Sequence, residues 1–431
     1  MTSAQFHGWV VVAIGCVVIF LQLGAFKSFG IFMMPIRQSL RGSYTAVGTA
    51  MAASHTCAFL LVPLATYLFK RYGGKRVVIT GGAIIFTSFF LVALVQNTTQ
   101  FSALLVSYGF GASLAFTPPL AYIMSHFQRV ELPIAITYVG GALGMMMCPP
   151  LAEILINTYG WRGAILIFAA VNAHVCVMGT LMQDDPRAGY EAIETDPSQD
   201  ESPKIGGNKL TVLRSRFIDA VKGFGRILAL DLVLEKPLFA LFIFLCFVIG
   251  LVYSAWMIYL VPHAVLRGID IKRASLLSTV GGVGNLIGRI VYGPVLHREY
   301  ITPVQMFGLL AMAACCAYML DSVAASNYPA LLCLAAVNGI SLGTMAAIIP
   351  MVPRQLLEVS RAKDGFSIFS SSFALGELAG GAFAGLLFDS VQSDEAVFQI
   401  LGGISSIIFV ALILEHFLRR CYSETKSEAS K

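Results

Sequence analysis

Residues Ser278–Leu296 read STVGGVGNLIGRIVYGPVL, an apolar run long enough to cross a bilayer with an arginine inside it. Glycines 281, 282, 284, 288 and 293 make it too small-sided for an ordinary lipid-facing helix. Small residues let neighbouring helices approach closely, and Gly284 and Gly288 form a small-xxx-small pair. Arg289 lies about seven residues from the end of the run, which at ~1.5 Å per residue places it roughly 10 Å inside. A guanidinium at that depth costs from roughly 2.5 to more than 10 kcal/mol unless it faces protein or a water-filled cavity. It cannot shed its proton to escape that cost. Two readings follow: a structural arginine that knits helices together, or a fixed positive charge awaiting an anionic ligand.

The rest of the chain is a membrane frame for that charge. Hydrophobic residues make up 57% of the sequence and charged residues only 12%, with a mean hydropathy of +0.77. No soluble domain of 431 residues could bury so much apolar surface. The apolar runs are continuous rather than alternating, which excludes a transmembrane β-barrel and leaves an all-α integral membrane protein. Of nine cysteines, eight (Cys16, Cys57, Cys148, Cys176, Cys246, Cys315, Cys316, Cys333) fall within apolar runs and read as small buried hydrophobes, not a disulfide framework. The first run, from Trp9 to Met34, is too long for a signal-peptide core and lacks a cleavage site.

Twelve spans are expected, at 9–34, 47–69, 77–95, 101–125, 133–156, 161–182, 237–262, 274–296, 304–323, 328–353, 366–388 and 396–418. They group into an amino-terminal half (1–182), a linker (183–236), a carboxy-terminal half (237–418) and a tail (419–431). The linker begins acidic and Pro/Ser-rich, the composition of a disordered segment. Its second part, Leu210–Leu230 (LTVLRSRFIDAVKGFGRILAL), reads either as an amphipathic helix at an anionic membrane surface or as a solvated linker helix. With both termini inside, the inner loops and tail hold 21 of the 29 Lys and Arg residues and the outer loops six, so the positive-inside rule predicts cytoplasmic termini. Two six-helix halves joined by a long linker is the layout of carriers that bind substrate near the midplane and rock around it.

Few polar residues lie deep in the spans. Lys27, in LGAFKSFGIFMMPI of span one, either snorkels to the outer headgroups or forms part of the site. Glu377 sits mid-membrane in span eleven, and Glu153 near the outer end of span five. Glu377 must be protonated or paired. It is expected either to form a structural pair with Arg289 or to carry a proton while the arginine alternates between it and the substrate. His55, His174 and His263 could shuttle protons or simply pack between helices. Asn97-Thr98-Thr99 is a glycosylation sequon in a very short loop.

Taken together in register, these residues resemble the monocarboxylate transporter family (solute carrier family 16) of the major facilitator superfamily. Gly8-Trp9 looks like the end of that family's amino-terminal signature, and Lys27 with Ser28 and Phe32 is similar to its lysine-bearing segment. Pro63–Gly82 (PLATYLFKRYGGKRVVITGG) resembles the family's loop after span two, and Trp161-Arg162-Gly163-Ala164 its opening of span six. Gly-x-x-Gly-Arg ending at Arg289 resembles its substrate-binding motif. Three features depart from the pattern. Asn285 stands where the proton-coupled lactate branch has an aspartate, four residues before the arginine. Gly339–Pro353 (GISLGTMAAIIPMVP) lacks the aromatic that narrows the lactate site. The span-five signature keeps Arg129, Gly140 and Gly144 but not its basic run.

The resemblance implies a plasma-membrane carrier of small organic monocarboxylates, lactate- or pyruvate-like, working by alternating access with proton symport. Arg289 would hold the carboxylate, Lys27 would receive it from outside, Asn285 would orient the guanidinium, and Lys27 and Glu377 are the proton-coupling candidates. The alternative is a proton-independent carrier of a larger carboxylate such as an aromatic amino acid, thyroid hormone or creatine. The expected partners are the carboxylate, protons, the lipid bilayer and a single-span glycoprotein chaperone. No cofactor, metal, nucleic acid or enzymatic activity is expected, since the sequence has no metal-spaced histidines, Walker lysine or nucleophile elbow.

Overall fold

The computed structural model describes residues 3–127, 131–182, 237–298, 300–324, 327–349, 351–357, 362–390 and 394–428. The linker, with its expected amphipathic helix at 210–230, and Arg129 lie outside the described residues.

Long apolar helices make up the fold. Among the described residues, ten of them are long and apolar enough to cross a membrane, and a bent pair, Tyr44–Leu60 with Val62–Phe69, adds another. The pair turns by 44° at Leu61, where Pro63 in the first turn of the second helix withholds a backbone donor. The stretch Leu132–Leu181 is two spans in one: its backbone reverses at Gly160, whose φ of 69° is left-handed and available to glycine at little cost. The total is therefore the expected twelve. Span one is Ser3–Leu40, span seven Pro237–Leu266, span eight Ile271–His297, span nine Pro303–Ala324, span ten Tyr328–Ile348, span eleven Ala362–Ser390 and span twelve Asp394–Glu428. The last helix continues well past the expected end at 418.

Packing repeats with a period of six spans. Span one packs on five as seven packs on eleven; two packs on four as eight packs on ten; three packs on six as nine packs on twelve. This is the signature of two related six-helix halves. The halves meet along three seams: two against eleven, five against eight, and one against seven. Glycines let the seams close. A Cβ at Gly282 would stand 2.7 Å from the backbone nitrogen of Met146, and one at Gly30 would stand 2.9 Å from the Ile258 carbonyl. Polar bonds fasten the two–eleven seam on the side away from the termini. Asp389 accepts from the backbone amides of Tyr44 (2.9 Å) and Thr45 (2.8 Å) and from the Thr45 hydroxyl (2.6 Å). The Tyr259 hydroxyl lies 2.9 Å from the Tyr44 carbonyl and 3.0 Å from that of Gly381. Beyond the bend, Val62–Tyr72 packs on spans three and four of its own half instead. Outward faces carry apolar side chains such as Ile290, Val291 and Leu386, as contact with lipid requires.

Candidate functional site

Arg289 sits where spans five and eight meet. Its Nε donates to Asn285 Oδ1 at 2.7 Å, one turn earlier on the same helix face, and Nη1 donates to the Tyr138 carbonyl at 3.3 Å across the seam. The Tyr138 ring lies 5.6 Å from the guanidinium carbon. The side chain is half-buried, and among the described residues no carboxylate pairs with it. Asn285 is fully buried; its Nδ2 presses on Gly343 of span ten and has no acceptor among the described residues. Thr344 Oγ1, packed against Gly288, is likewise buried without a partner. The small-xxx-small face of span eight thus serves close packing on span ten: a Cβ on Gly288 would also meet the Ile340 carbonyl at 3.0 Å.

Lys27 is fully buried and does not snorkel. Its Nζ has no hydrogen-bond partner among the described residues and lies 3.4 Å from the centroid of the Trp256 ring. An ammonium over an aromatic face is attracted by the ring quadrupole, most strongly for Trp and when desolvated. Trp256 comes from span seven, so this contact crosses between the halves. The far edge of the indole needs Gly281: a Cβ there would stand 2.7 Å from Trp256 Cζ2.

Glu377 is fully buried and does not pair with Arg289. Its carboxylate oxygens lie 2.9 and 2.8 Å from His55 Nδ1. Both expectations for Glu377 placed it beside the arginine, and helix packing explains the correction. Span eleven lies against span two, whereas span eight lies against spans five and ten, so the acid and the arginine belong to different seams. The His55 ring stacks on Phe26 (4.1 Å, 9° between planes), the residue preceding Lys27, and meets Phe59 edge-on at 5.0 Å.

Other expectations resolve as follows. His263 bonds Asp321 Oδ2 of span nine at 2.8 Å and stacks on Phe398 at 3.7 Å. Asp321 also takes Arg267 Nη2 at 2.8 Å. The Arg267 side chain, in the turn that follows span seven, is thus covered and ion-paired, and Asp321 is a buried acid that sequence reasoning missed. Glu153 is buried near the end of span five, where it accepts from the Asn157 amide. His174 is exposed. Asn97 of the sequon caps span four, accepting from the Gln100 amide at 2.9 Å. The eight described cysteines are free; Cys148 and Cys246 are buried as expected, whereas Cys316 and Cys333 are exposed. Trp256, Tyr138 and the pairing of His55 carried no sequence signal, because each depends on a helix distant in the chain.

The profile of the Major Facilitator Superfamily matches residues 15–322 and 267–430. The chain belongs to the Major Facilitator Superfamily. Within this superfamily of transporters, its relatives include monocarboxylate transporter 2 of Mesocricetus auratus, 25% identical over 98% of this chain and 87% of the relative. Human monocarboxylate transporter 12 is 23% identical over 94% of this chain and 80% of its own length. Human monocarboxylate transporter 11 is 24% identical over 94% of this chain and 83% of its own length. Among solved structures, the nucleoside transporter NupG superposes with a TM-score of 0.72 at 13% identity, covering 95% of this chain and 98% of that one. A POT family transporter in complex with 5-aminolevulinic acid gives 0.69 at 13% identity, over 94% and 95% of the two chains. The structural matches bear on the fold alone. The protein is a multi-pass membrane transporter of this superfamily and not an enzyme.

Proposed function

We propose that this major facilitator carries small organic monocarboxylates, lactate- or pyruvate-like, across the plasma membrane by alternating access with proton symport, its termini in the cytoplasm. One observation carries the reading: Arg289 stands at a seam between the halves with no carboxylate partner among the described residues, and its Nη2 makes no hydrogen bond among them. A buried guanidinium favours a two-oxygen anion because two parallel N–H groups match its geometry. Rocking of the halves would carry the held anion from one side to the other. Asn285 fixes the guanidinium, Lys27 meets the incoming anion from the outer side, and Lys27 and Glu377 are the groups able to move a proton. The names of the relatives support the substrate class.

A second reading, proton-independent transport of a larger carboxylate, has its own support. Asn285 cannot titrate, and where span ten packs on span eight it brings the small residues Gly339, Gly343 and Thr344 and no aromatic of the segment Gly339–Pro353. The test is uptake into liposomes of labelled lactate, pyruvate, butyrate, aromatic amino acids and creatine, with and without an inside-alkaline gradient. Saturable lactate or pyruvate uptake stimulated by the gradient is expected. Uptake of the larger acids alone, indifferent to the gradient, would establish the second reading. No carboxylate uptake by correctly folded protein overturns both.

A further inference from the structure

The arginine leaves the seam between spans two and eleven unexplained. That seam is closed by Tyr259, Asp389, the Thr56 hydroxyl donating to the Ala374 carbonyl at 3.0 Å, and one titratable pair buried at its base, His55 and Glu377. Glu377 is 0% exposed and His55 9% exposed, and Phe26 and Phe59 cover the imidazole. Neither helix can supply the pair alone: His55 belongs to the amino-terminal half and Glu377 to the carboxy-terminal half. The charged or titratable groups on the flanking helices include Lys27 on span one and Tyr253 on span seven; Asp389 lies about three turns further along span eleven, and Arg289 belongs to another seam. Tyr253 lies within electrostatic reach of both Glu377 and Arg289, while the Lys27 ammonium faces Trp256.

We propose that His55 and Glu377 together form the carrier's proton site, and that the two–eleven seam closes when this pair holds one exchangeable proton. The inference rests on the symport reading above and names the site and gate it would use. The chemistry follows from the donor inventory. With one exchangeable proton, the pair is either imidazolium with carboxylate or imidazole with carboxylic acid, and both forms are neutral overall and hydrogen-bonded. Without it, a neutral imidazole faces a carboxylate and a net negative charge is buried among aromatic rings, where burial of charge is penalised. Loss of the proton therefore favours parting of the halves, which returns Glu377 to water. Reprotonation from that water lets the seam close with the proton enclosed. No bond other than N–H and O–H is made or broken, and the proton comes from one compartment and leaves to the other.

Ala52 provides a reporter, because it is fully buried in this seam one turn from His55 and packs on Gly381. In full-length Ala52→Cys protein in liposomes, labelling by an impermeant maleimide is measured from about pH 5.5 to 8, the range in which histidine-linked switches operate. Each rate is divided by that of an exposed cysteine to remove the reagent's own pH dependence. The ratio is expected to rise severalfold with pH, and Glu377→Gln to hold it low and flat. Stimulation of uptake by a proton gradient should be lost in Glu377→Gln and in His55→Gln alike. Labelling that is flat in the parent, or equally pH-dependent in Glu377→Gln, overturns the inference. The labelling requires no substrate, so it judges the pair even where the carboxylate panel fails. Gradient-driven carboxylate uptake with unchanged labelling in all variants would sink the pair and leave the carboxylate reading standing.

Discussion

Replacing Arg289 separates the anion site from a purely structural arginine. A guanidinium has five N–H donors. Asn285 takes the one on Nε and the Tyr138 carbonyl takes one on Nη1, so three remain and a carboxylate needs two. Hydrogen bonds involving charged groups contribute about 1.5–3 kcal/mol each. Arg289→Lys keeps the charge but loses the fork, so one such bond is forfeited and the apparent KM should rise roughly 10- to 150-fold. Arg289→Gln forfeits both and the charge, so a rise of more than about 100-fold is expected. Folding should tolerate either change. The bonds to Asn285 and the Tyr138 carbonyl are charge-assisted, about 1.5–3 kcal/mol each, and removal of a half-buried cation that has no counter-ion among the described residues offsets part of their loss. The assay is initial-rate uptake against concentration, normalised to protein at the surface or in the liposome. An Arg289→Gln carrier whose KM stays within about threefold of the parent, a change under 1 kcal/mol, would refute the anion site and leave the arginine a helix tie.

Three further outcomes are expected. Lys27→Gln should weaken influx more than efflux, because in the proposed reading its ammonium meets the anion that enters from the side away from the termini; equal loss in both directions counts against that role. Asn285→Asp should make uptake rise more steeply as outside pH falls from about 8 to 5.5, since the new carboxylate would compete for Arg289 until protonated; an unchanged pH profile would show that this position does not govern the guanidinium. Asp321→Asn should lower thermal stability by as much as about 3–5 kcal/mol, the usual loss when one partner of a buried ion pair is removed, and a melting temperature like the parent's would place the cluster with His263 and Arg267 outside the stabilising core.

The sequence made the fold legible because each span carries its own evidence. An apolar helix in lipid must satisfy its backbone internally, so length and hydropathy mark it without knowledge of any partner. The break between spans five and six was legible as well: the sequence divides them between 156 and 161, and the backbone reverses there on the left-handed Gly160. The site was legible where cost is local. Arg289, Lys27 and Glu377 are expensive inside a membrane whatever surrounds them, and so they stood out. Their partners did not. His55 lies 322 residues from Glu377 in sequence, and nothing in either segment points to the other. Trp256 reads as one more aromatic in span seven until the packing lays its face against Lys27. Asp321 was overlooked because it sits at the rim of span nine, where an acid costs little unless a neighbouring helix covers it.

Depth separates the two chemistries. At ~1.5 Å per residue, Lys27 lies roughly 20 Å from the Leu40 end of its helix, His55 roughly 16 Å from Tyr44, and Glu377 roughly 20 Å from Ser390. All three ends face the side away from the termini, so these groups share one level near the midplane. Arg289 lies deeper, roughly 27 Å from Ile271. An aspartate at 285 could couple proton and anion by direct competition for the guanidinium, but Asn285 and the distance to another seam remove that route. Under symport, what the proton site and the anion site share is the pair of rigid halves that build both. A charge left bare at one seam must then resist the same closure that a bound anion at the other seam favours. Coupling would run through the population of the closed state and not through contact between the ligands. A substitution that locks either seam open should consequently abolish transport of both.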